Sequence, residues 1–377
     1  MSPLHSVYIH LPFCREICPF CGFAVLKDPG RGLDFYIDLL LVEWEGLNRQ
    51  FELDCKPLRS IYLGGGTPSR HTPAQLKRLL TALGPLPPQV SIELNPEDVT
   101  PDYAQALAEV GFNRVSLGVQ SFDNTCLKAL GRVHFAEDVH KGIAALQKAG
   151  LNDFNLDFIF GYPGQSPQAF EADLAAFTQS AATHLSAYAL SVEPGSKLGR
   201  KPAWGLWLNE NEGLVAEQYL KVIEAFESSG RKQYEVSNFA KSGKESVQNL
   251  SNWGGENYIG LGLGAHGRIG DLRYSNWRRM QRYKAEAAIG PWEWSEIMGP
   301  EEMLAEAWML GLRQPKGVAI QDFFKQPEAA ARVLENLPQS GWFNLIEGRL
   351  KLTAGGFLLA DELTSYLWTR QNLQEYL

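Results

Sequence analysis

The segment His10-Leu-Pro-Phe-Cys14-Arg-Glu-Ile-Cys18-Pro-Phe-Cys21 contains three of the five cysteines of the chain. These cysteines are spaced C-x₃-C-x₂-C and follow directly after the apolar run that begins at Val7. Three thiolates this close together can each bind a different iron of one 4Fe-4S cluster, which leaves the fourth iron without a protein ligand. An open coordination position on a metal is a place where a ligand can bind and be activated. We therefore predict that Cys14, Cys18 and Cys21 hold an iron–sulfur cluster.

A zinc site, in a binding protein without catalytic activity, is the alternative interpretation of these cysteines. Structural zinc needs four ligands, which usually come as two separated pairs. His10 could supply a fourth ligand, but no second C-x₂-C or H-x₃-H pair follows anywhere downstream. The spacing therefore favours the cluster.

The composition restricts the class of protein. A chain of 377 residues with 45% hydrophobic residues can bury a large core and is expected to form two domains. Its net charge of −8 argues against electrostatic binding of nucleic acid. Clustered cysteines suit a reducing cytoplasm, and no signal peptide is recognisable. No apolar run approaches the roughly 20 residues that a membrane span needs. We expect a cytoplasmic protein with no nucleic-acid partner and no membrane span.

Short β-branched runs alternate with amphipathic stretches from residue 7 to about residue 240. This alternation predicts an α/β fold with a parallel sheet and covering helices, and six units suggest a partial (β/α)₆-type barrel. The predicted strands are Val7–Leu11, Ser60–Leu63, Val90–Leu94, Arg114–Val119, Phe154–Phe160 and His184–Ser191, with an extra strand at Gln233–Phe239. The predicted helices are Leu33–Leu47, Ala74–Leu83, Pro101–Val110, Ala136–Ala149, Pro167–Gln179 and Glu210–Ser228.

Small or polar residues follow nearly every predicted strand, as in Gly64–Pro68, Glu93–Pro96 and Gly118–Ser121. A tight turn needs glycine for its backbone conformation, so the glycine of one such turn does not by itself indicate a functional site. Several strands with the same feature indicate one shared site, because barrel chemistry gathers where the strands end. The triplet Gly64-Gly65-Gly66 matches neither a Walker loop nor a Rossmann fingerprint. We expect it to allow close backbone approach, with amides free to bind a carboxylate or amino group.

The spacing of Cys14, Cys18 and Cys21 resembles the signature of the radical S-adenosylmethionine (SAM) superfamily. In that superfamily the open iron is chelated by the amino and carboxylate groups of SAM. An electron from the reduced cluster then cleaves SAM to a 5′-deoxyadenosyl radical. The resemblance therefore implies that SAM is a cofactor here.

The whole chain resembles the oxygen-independent coproporphyrinogen III oxidase family, and within it the HemW heme chaperones. The matching segments are Tyr8–Cys14, Tyr62–Ser69, Glu93–Glu97, Arg114–Phe122, Leu130–Arg132, Asn155–Asp157 and Tyr234–Phe239. The resemblance implies that SAM is contacted by residues from several strands, namely Tyr8, Gly65, Gly66, Thr67, Glu93, Gln120, Arg132 and Asp157. Carboxylates can accept hydrogen bonds from the ribose or the amino group, and an arginine can pair a carboxylate with two hydrogen bonds. Phe20 offers an apolar face for adenine, with plain packing as the alternative.

Two positions bear on the activity that the resemblance implies. Phe23 stands where the decarboxylating oxidases carry a further cysteine, and the heme chaperones also have phenylalanine there. Coproporphyrinogen III decarboxylation is therefore not expected. The chaperone branch carries His-Asn-x-x-Tyr-Trp, linked to heme binding, where this chain has Gln248 and Asn252 instead of histidine and tyrosine. Amides are not the usual axial ligands of heme iron.

Two functional hypotheses follow from these positions. The first is a heme chaperone, which binds heme or another tetrapyrrole and passes it to an accepting protein. The second is a radical SAM enzyme that acts on a porphyrin or another substrate. The only histidine after His184 is His266, for which a structural role is expected rather than heme ligation.

The C-terminal part reads as a small winged-helix-like domain. Glu301–Leu312 and Gly356–Leu367 have helical periodicity, and Phe343–Leu352 reads as two short strands around Glu347-Gly348. Seven Lys/Arg against ten Asp/Glu from residue 300 onward argue against DNA binding. We expect a barrel at 1–240, a connecting α+β segment at 241–299 and this domain at 300–377. Cys55 and Cys126 are expected to be buried as small apolar residues.

Overall fold

The computed structural model describes residues 4–30, 32–51, 53, 58–323 and 341–370. In chain order its strands are β1 (Ser6–Leu11), β2 (Phe13–Cys14), β3 (Leu26–Lys27), β4 (Ser60–Gly65), β5 (Gln89–Leu94), β6 (Arg114–Gln120), β7 (Phe154–Phe160), β8 (His184–Ala189), β9 (Lys232–Glu235), β10 (Asn238–Ala240), β11 (Tyr258–Leu261), β12 (His266–Ile269), β13 (Leu272–Asn276), β14 (Trp292–Ile297), β15 (Val318–Ala319), β16 (Phe343–Ile346) and β17 (Arg349–Leu352).

The helices that the structure describes are α1 (Asp34–Phe51), α2 (Pro73–Leu83), α3 (Pro101–Val110), α4 (Asn124–Ala129), α5 (Ala136–Lys148), α6 (Pro167–Gln179), α7 (Pro202–Glu210), α8 (Glu212–Ser228), α9 (Val247–Trp253), α10 (Met280–Glu286), α11 (Pro300–Leu312), α12 (Ala354–Phe357) and α13 (Ala360–Arg370).

The large sheet has twelve strands in the order β14-β13-β12-β11-β1-β4-β5-β6-β7-β8-β10-β9. Its six central strands from β1 to β8 are parallel and follow one another in chain order, which confirms the predicted α/β partial barrel. The sequence did not indicate that β11 would join this parallel core on the other side of β1. The extra strand expected at Gln233–Phe239 is instead the antiparallel pair β9 and β10.

The helices that cover the sheet begin and end at residues that cap them. Thr72 and Gln75 form a reciprocal capping box at the start of α2, and Pro73 occupies its first position. Thr100 and Ser166 cap α3 and α6 with their side-chain oxygens. Gly111 ends α3 with a left-handed backbone at φ 112°, a conformation that costs glycine little.

Apolar and polar side chains alternate along the central strands although both faces of the sheet are covered. Outward residues such as Val7, Ile61 and Val115 are fully buried in the main core. The inward residues Tyr8, Tyr62 and Ser116 line an internal cavity instead. The period of two in a strand separates these two sets, so the core lies between sheet and helices and the barrel interior is polar.

The C-terminal part contains a three-stranded sheet in the order β15-β17-β16. The predicted hairpin is confirmed, with Glu347 and Gly348 at φ 52° and 72° in its two-residue turn. Trp308 of α11 packs edge-on against Phe323 at 4.8 Å. The predicted helix at Gly356–Leu367 is divided into α12 and α13. The boundaries of the three predicted parts stay a prediction, and Cys55 lies outside the described residues.

None of the helices that the structure describes combines the length and apolar character required to cross a bilayer.

A buried carboxylate connects α1 to the second half of the sheet. Glu43 accepts hydrogen bonds from the Gly262 amide (2.9 Å), the Asn276 side-chain amide (2.6 Å) and the Tyr283 hydroxyl (2.5 Å). Burial raises the pKa of Glu43 to about 7, and the three donors oppose that rise. This carboxylate therefore fixes the loop after β11, the end of β13 and α10 against one helix.

We expect Glu43→Ala to destabilise the fold because it leaves the buried Gly262 amide and Tyr283 hydroxyl without an acceptor, and the Asn276 amide with only the Gly262 carbonyl. Each unsatisfied donor costs about 1–3 kcal/mol, so the free energy of unfolding should fall by about 3 kcal/mol or more. Glu45→Ala is the matched control, since Glu45 is exposed on the same helix. Urea denaturation measures both variants, and an equal loss in the two would contradict this account.

Candidate functional site

The inner face of the barrel encloses a cavity of about 800 Å³. The cysteine loop lies at one end of it, where the central strands finish, and α9 lies at the other end, where they begin. All twelve residues predicted for the cluster and for SAM are among its lining: Tyr8, Cys14, Cys18, Phe20, Cys21, Gly65, Gly66, Thr67, Glu93, Gln120, Arg132 and Asp157. Residues that are far apart in sequence thus meet in one space.

The cysteine loop is held by backbone hydrogen bonds to neighbouring elements. Cys14 ends β2, which pairs with β3, and the Thr67 amide donates to the Phe13 carbonyl at 3.0 Å. The Cys21 amide donates to the Cys18 carbonyl at 3.2 Å and closes a tight turn. The thiols of the loop therefore sit on a backbone that is already ordered.

Each of the three sulfurs has a polar neighbour. Arg132 Nη1 donates to Cys18 Sγ at 3.1 Å. Burial raises the pKa of the Cys14 thiol to about 11, and a hydrogen bond from Thr67 opposes that rise. Burial also raises the pKa of Cys21, against a hydrogen bond from the Phe23 amide. Hydrogen bonds to sulfur are among the features that tune iron–sulfur clusters, so the donor set fits such a group.

The described residues contain no preformed site for a single metal ion. In the described part of the chain, no three His, Cys, Asp or Glu side chains are grouped so as to hold one metal ion. Cluster ligands have no need to meet at one atom, because each binds a different iron.

The glycine triplet is explained by close packing. A Cβ atom on Gly64 would lie 2.8 Å from the Glu93 carboxylate, and one on Gly66 would lie 2.6 Å from the Pro12 carbonyl carbon. Gly65 has a φ of 106°, and its Cβ would meet the His10 ring at 2.5 Å. These positions require glycine because larger residues would displace the strand end.

The backbone amides of Gly65, Gly66 and Thr67 are not free, contrary to expectation. The Gly65 amide donates to Glu93 Oε2 at 3.1 Å, and the Gly66 amide donates to the Leu11 carbonyl at 2.9 Å. The Thr67 amide is bonded to Phe13, as described above. The polar groups that remain for a ligand at this strand end are therefore carbonyl oxygens and side chains.

Glu93 lies at the centre of the cavity wall. Its Oε1 accepts from the Tyr62 hydroxyl at 2.9 Å, and the Tyr62 ring stacks on Tyr8 at 6.2 Å. Burial raises the pKa of Glu93 to about 7, and the nearby negative charge of Asp157 raises it further. Glu93 can therefore change its charge near neutral pH.

Arg132 makes more hydrogen bonds within the protein than the sequence indicated. Besides Cys18, it donates through Nη2 to Asn95 Oδ1 (2.8 Å) and the Gly118 carbonyl (3.1 Å). Its buried Nε has no hydrogen-bond partner among the described residues. Three of the five N–H groups of this guanidinium are thus used within the protein, and these bonds orient it beside the sulfur.

Gln120 is in the left-handed region, with a φ of 69°. The pairing of β6 with β7 shifts register between Leu117 and Gln120. A non-glycine residue in this region stores about 1–2 kcal/mol of strain, and such residues concentrate at functional sites.

Asn155 organises a set of polar residues that the sequence reasoning missed. Its Nδ2 donates to Asp157 Oδ1 and to Ser116 Oγ, both at 2.8 Å. Its Oδ1 accepts from His184 Nδ1 (2.7 Å) and Ser186 Oγ (3.1 Å). The sequence does contain a signal for this set: polar residues alternate with apolar ones inside the strands, as in Asn155-Leu-Asp157 and His184-Leu-Ser186. The prediction of the site was based on polar residues at the strand ends and so did not include them.

The altered positions on α9 lie at the far end of the cavity. Gln248 is buried, accepts from the Ser60 hydroxyl at 3.3 Å and donates to Asn252 Oδ1 at 3.0 Å. Asn249 donates to the Tyr234 hydroxyl at 3.2 Å. The amides at positions 248 and 252 are therefore bonded to each other across one helical turn.

Three further residues lie apart from the cavity interior or at its edge. His266 is exposed, packs edge-on against Trp294 and is not among the lining residues. Cys126 is buried beside Leu130 and Tyr162, with Phe20 packed against that cluster. Phe23 is 67% exposed at the mouth of the cavity.

The comparisons with known proteins agree with this geometry. Residues 8–177 match the model of the Radical SAM superfamily. The Escherichia coli coproporphyrinogen III oxidase HemN, described as a radical SAM enzyme, has a similar fold: the TM-score is 0.79 at 22% identity, covering 98% of this chain and 91% of that chain. The barrel and its cysteine loop thus define a radical SAM protein, a class that implies a 4Fe-4S cluster and SAM.

Relatives of higher identity define the family within this class. The heme chaperone HemW of Lactococcus lactis subsp. lactis (strain IL1403) is 34% identical over 324 residues, covering 85% of this chain and 84% of that protein. The heme chaperone HemW of Bacillus subtilis (strain 168) is 34% identical over 377 residues, covering 96% of this chain and 98% of that protein. The chain belongs to the HemW family.

Replacing Cys14, Cys18 or Cys21 with alanine should abolish cluster assembly, because each is expected to bind a separate iron. Iron and acid-labile sulfide, measured after anaerobic reconstitution, should fall to background in all three variants. Cys126→Ala is the matched control, since Cys126 packs outside the cavity, and it should keep its iron. Zinc without sulfide in the unaltered protein would overturn the cluster assignment.

Proposed function

We propose that this protein binds a 4Fe-4S cluster and SAM and acts as a heme chaperone, which takes up heme and passes it to an accepting protein. The binding of the cluster and SAM is supported by one observation: the three cysteines, Glu93, Asp157 and Arg132 all line the same cavity. The heme half is supported by the names of the relatives, which are heme chaperones. We also propose a cytoplasmic location, because clustered free thiols suit a reducing compartment.

In this proposal the residues of the cavity hold SAM against the cluster. A reduced cluster, with SAM bound beside it, would supply the electron that cleaves SAM. Arg132, held beside Cys18, would pair with the SAM carboxylate, while Glu93 and Asp157 would accept hydrogen bonds from the amino group or the ribose. Tyr8 is fixed by its hydroxyl, which donates to His10 Nδ1 at 3.0 Å, since His10 Nε2 faces the Ala24 carbonyl at 2.9 Å. Phe20 supplies an apolar wall for adenine.

A second candidate is a radical SAM enzyme with a polar substrate. The supporting observation is the inner face beneath the proposed SAM site, where Ser116, Asn155 and Ser186 form a continuous polar wall. A flat apolar macrocycle is not suited to such a wall. The buried Ser91 hydroxyl also lines this space and has no hydrogen-bond partner among the described residues.

One experiment separates these functions. Anaerobically reconstituted protein is incubated with SAM and dithionite and assayed for 5′-deoxyadenosine, and a parallel titration with hemin follows the Soret band. We expect a stoichiometric Soret shift with little deoxyadenosine. Multiple turnovers of SAM without a Soret shift would reject the chaperone proposal and favour the enzyme. The Cys18→Ala variant controls for SAM cleavage that does not depend on the cluster.

The affinity for SAM should rise with pH around neutrality. The pKa of Glu93 is raised to about 7, so the carboxyl is largely neutral at pH 6 and largely ionised at pH 8. The ionised form attracts the cationic SAM, and the gain is at most about tenfold per pH unit below the pKa. Calorimetry of SAM binding to cluster-loaded protein between pH 6 and pH 8 measures this dependence.

The variant Glu93→Gln should bind SAM more weakly at pH 8 and flatten the dependence on pH. The matched control is Glu193→Gln, because Glu193 is an exposed carboxylate at the rim of the same cavity. A pH dependence that survives in Glu93→Gln would show that another group controls SAM affinity.

A further inference from the structure

The barrel cavity continues beyond the residues proposed for SAM, toward the end of the barrel where the strands begin. Ser91 on β5 and Arg114 on β6 lie in this lower part, and both line the cavity. The two residues are partners in the parallel pairing of β5 with β6, so their side chains project from the same face of the sheet. The cavity of about 800 Å³ is large for a small-molecule site, which usually measures about 300–1,000 Å³. Its two ends are lined by different residues and form two subsites.

We propose that the lower part of this cavity binds a small hydroxy acid. Its carboxylate is held by the Nε–Nη2 edge of Arg114 and by the Ser91 hydroxyl, and its hydroxyl groups meet the carboxamides of α9. The inference rests on the polar wall that supports the second candidate function, and it names the class of ligand for that wall. It does not depend on the binding of heme.

Ser91 is a buried polar residue whose partner is missing from the protein itself. Its side chain is 1% exposed, and its hydroxyl has no hydrogen-bond partner among the described residues. Val90 and Ile92, its neighbours on the strand, belong to the outer core, so Ser91 is directed into the barrel. Buried hydroxyls are nearly always paired, which indicates that a bound molecule completes this one.

Arg114 offers the edge of a guanidinium that a carboxylate prefers. The residue is 3% exposed, and its Nη1 donates to Asp153 Oδ1 and to the Lys244 carbonyl, both at 2.9 Å. Its Nε and Nη2 have no hydrogen-bond partner in the part of the chain that the structure describes. These two nitrogens can bind a carboxylate through two parallel hydrogen bonds. Because the bonds of Nη1 already fix the guanidinium, a ligand has less side-chain entropy to overcome.

The charges around Arg114 favour an anion. Asp153 pairs with Arg114 and also lies 3.5 Å from Lys244 Nζ, so two positive charges share one carboxylate. His184 in the adjoining wall adds no charge, because burial lowers its pKa well below the usual value and the positive charge of Arg114 lowers it further. Arg114 is therefore only partly neutralised within the protein.

The rest of the lower wall consists of neutral polar groups. Gln248, Asn249 and Asn252 of α9 close this end of the cavity. Carboxamides both donate and accept hydrogen bonds, which suits the hydroxyl groups of a ligand. The buried carboxylates of the cavity, Glu93 and Asp157, lie further along their strands, at the end proposed for SAM. The lining therefore fits a short acid that carries hydroxyl groups.

The test is equilibrium dialysis of the cluster-loaded full chain against radiolabelled glycerate, glycerol and glycerol 3-phosphate, carried out anaerobically. Glycerate should bind, and glycerol should not, because it has the hydroxyl groups without the carboxylate. Glycerate should also bind more tightly than glycerol 3-phosphate, since one edge of a single arginine matches a planar carboxylate. Tighter binding of glycerol 3-phosphate would overturn the assignment to a carboxylate.

Ser91→Ala should lower the affinity for glycerate about tenfold, because a hydrogen bond to a charged group is lost. The substitution breaks no hydrogen bond that the structure describes within the protein. Ser6→Ala is the matched control: the Ser6 hydroxyl is likewise buried without a partner among the described residues, but Ser6 does not line the cavity. Arg114→Gln should abolish glycerate binding, and its binding of SAM verifies that it is folded.

The outcomes separate this inference from the proposed function. If the unaltered protein binds SAM but no glycerate, the class of ligand is wrong while the cofactor proposal stands. If Ser91→Ala and Arg114→Gln lose affinity for SAM instead, these residues belong to the SAM site and the inference fails. Equal glycerate binding by Ser91→Ala and Ser6→Ala would also reject it. Glycerate binding without a Soret shift on addition of hemin would support the inference and reject the chaperone proposal.

Discussion

The barrel carries polar side chains on its inner face, and burial obliges each of them to find a partner. An unpaired buried polar group costs about 1–3 kcal/mol, so the strands can tolerate this interior only if neighbouring side chains bond one another. Asn155 meets that requirement for three strands at once, through Ser116 on β6, Asp157 on β7 and His184 on β8. The register of the parallel strands, which sets Ser116 beside Asn155 and Asn155 beside His184, is therefore a condition for the site.

The parts of the fold that depend on local pattern were predictable from the sequence. β7, α3 and α6 have the predicted boundaries, and the whole predicted cofactor set lines one cavity. Contacts between distant segments were not predictable, because nothing near Glu43 in the sequence signals its bonds to Asn276 and Tyr283. The hydrogen bonds of the Gly65, Gly66 and Thr67 amides were not predictable for the same reason, since their acceptors are Glu93 and the carbonyl groups of Leu11 and Phe13.

The departure of α9 from the family pattern also has a physical explanation. A glutamine at position 248 keeps the end of the barrel bonded, because its amide both accepts from Ser60 and donates to Asn252. An apolar residue at position 248 would leave the Ser60 hydroxyl without this acceptor. The helix therefore closes this end of the barrel, and it carries no side chain of the kind that usually ligates heme iron.

The polar network also connects the two ends of the barrel, which matters for a protein proposed to bind two ligands. Asn249 on α9 donates to Tyr234, and the Tyr234 hydroxyl donates to His184 Nε2 at 2.8 Å. His184 in turn donates to Asn155, which orients Asp157 in the proposed SAM site. Burial lowers the pKa of His184 well below its usual value, so the ring stays neutral and keeps one donor and one acceptor in place. A ligand that moved α9 would thereby act on Asp157 through fixed hydrogen bonds, whereas a charged His184 would reverse the Tyr234 contact and break the chain of donors.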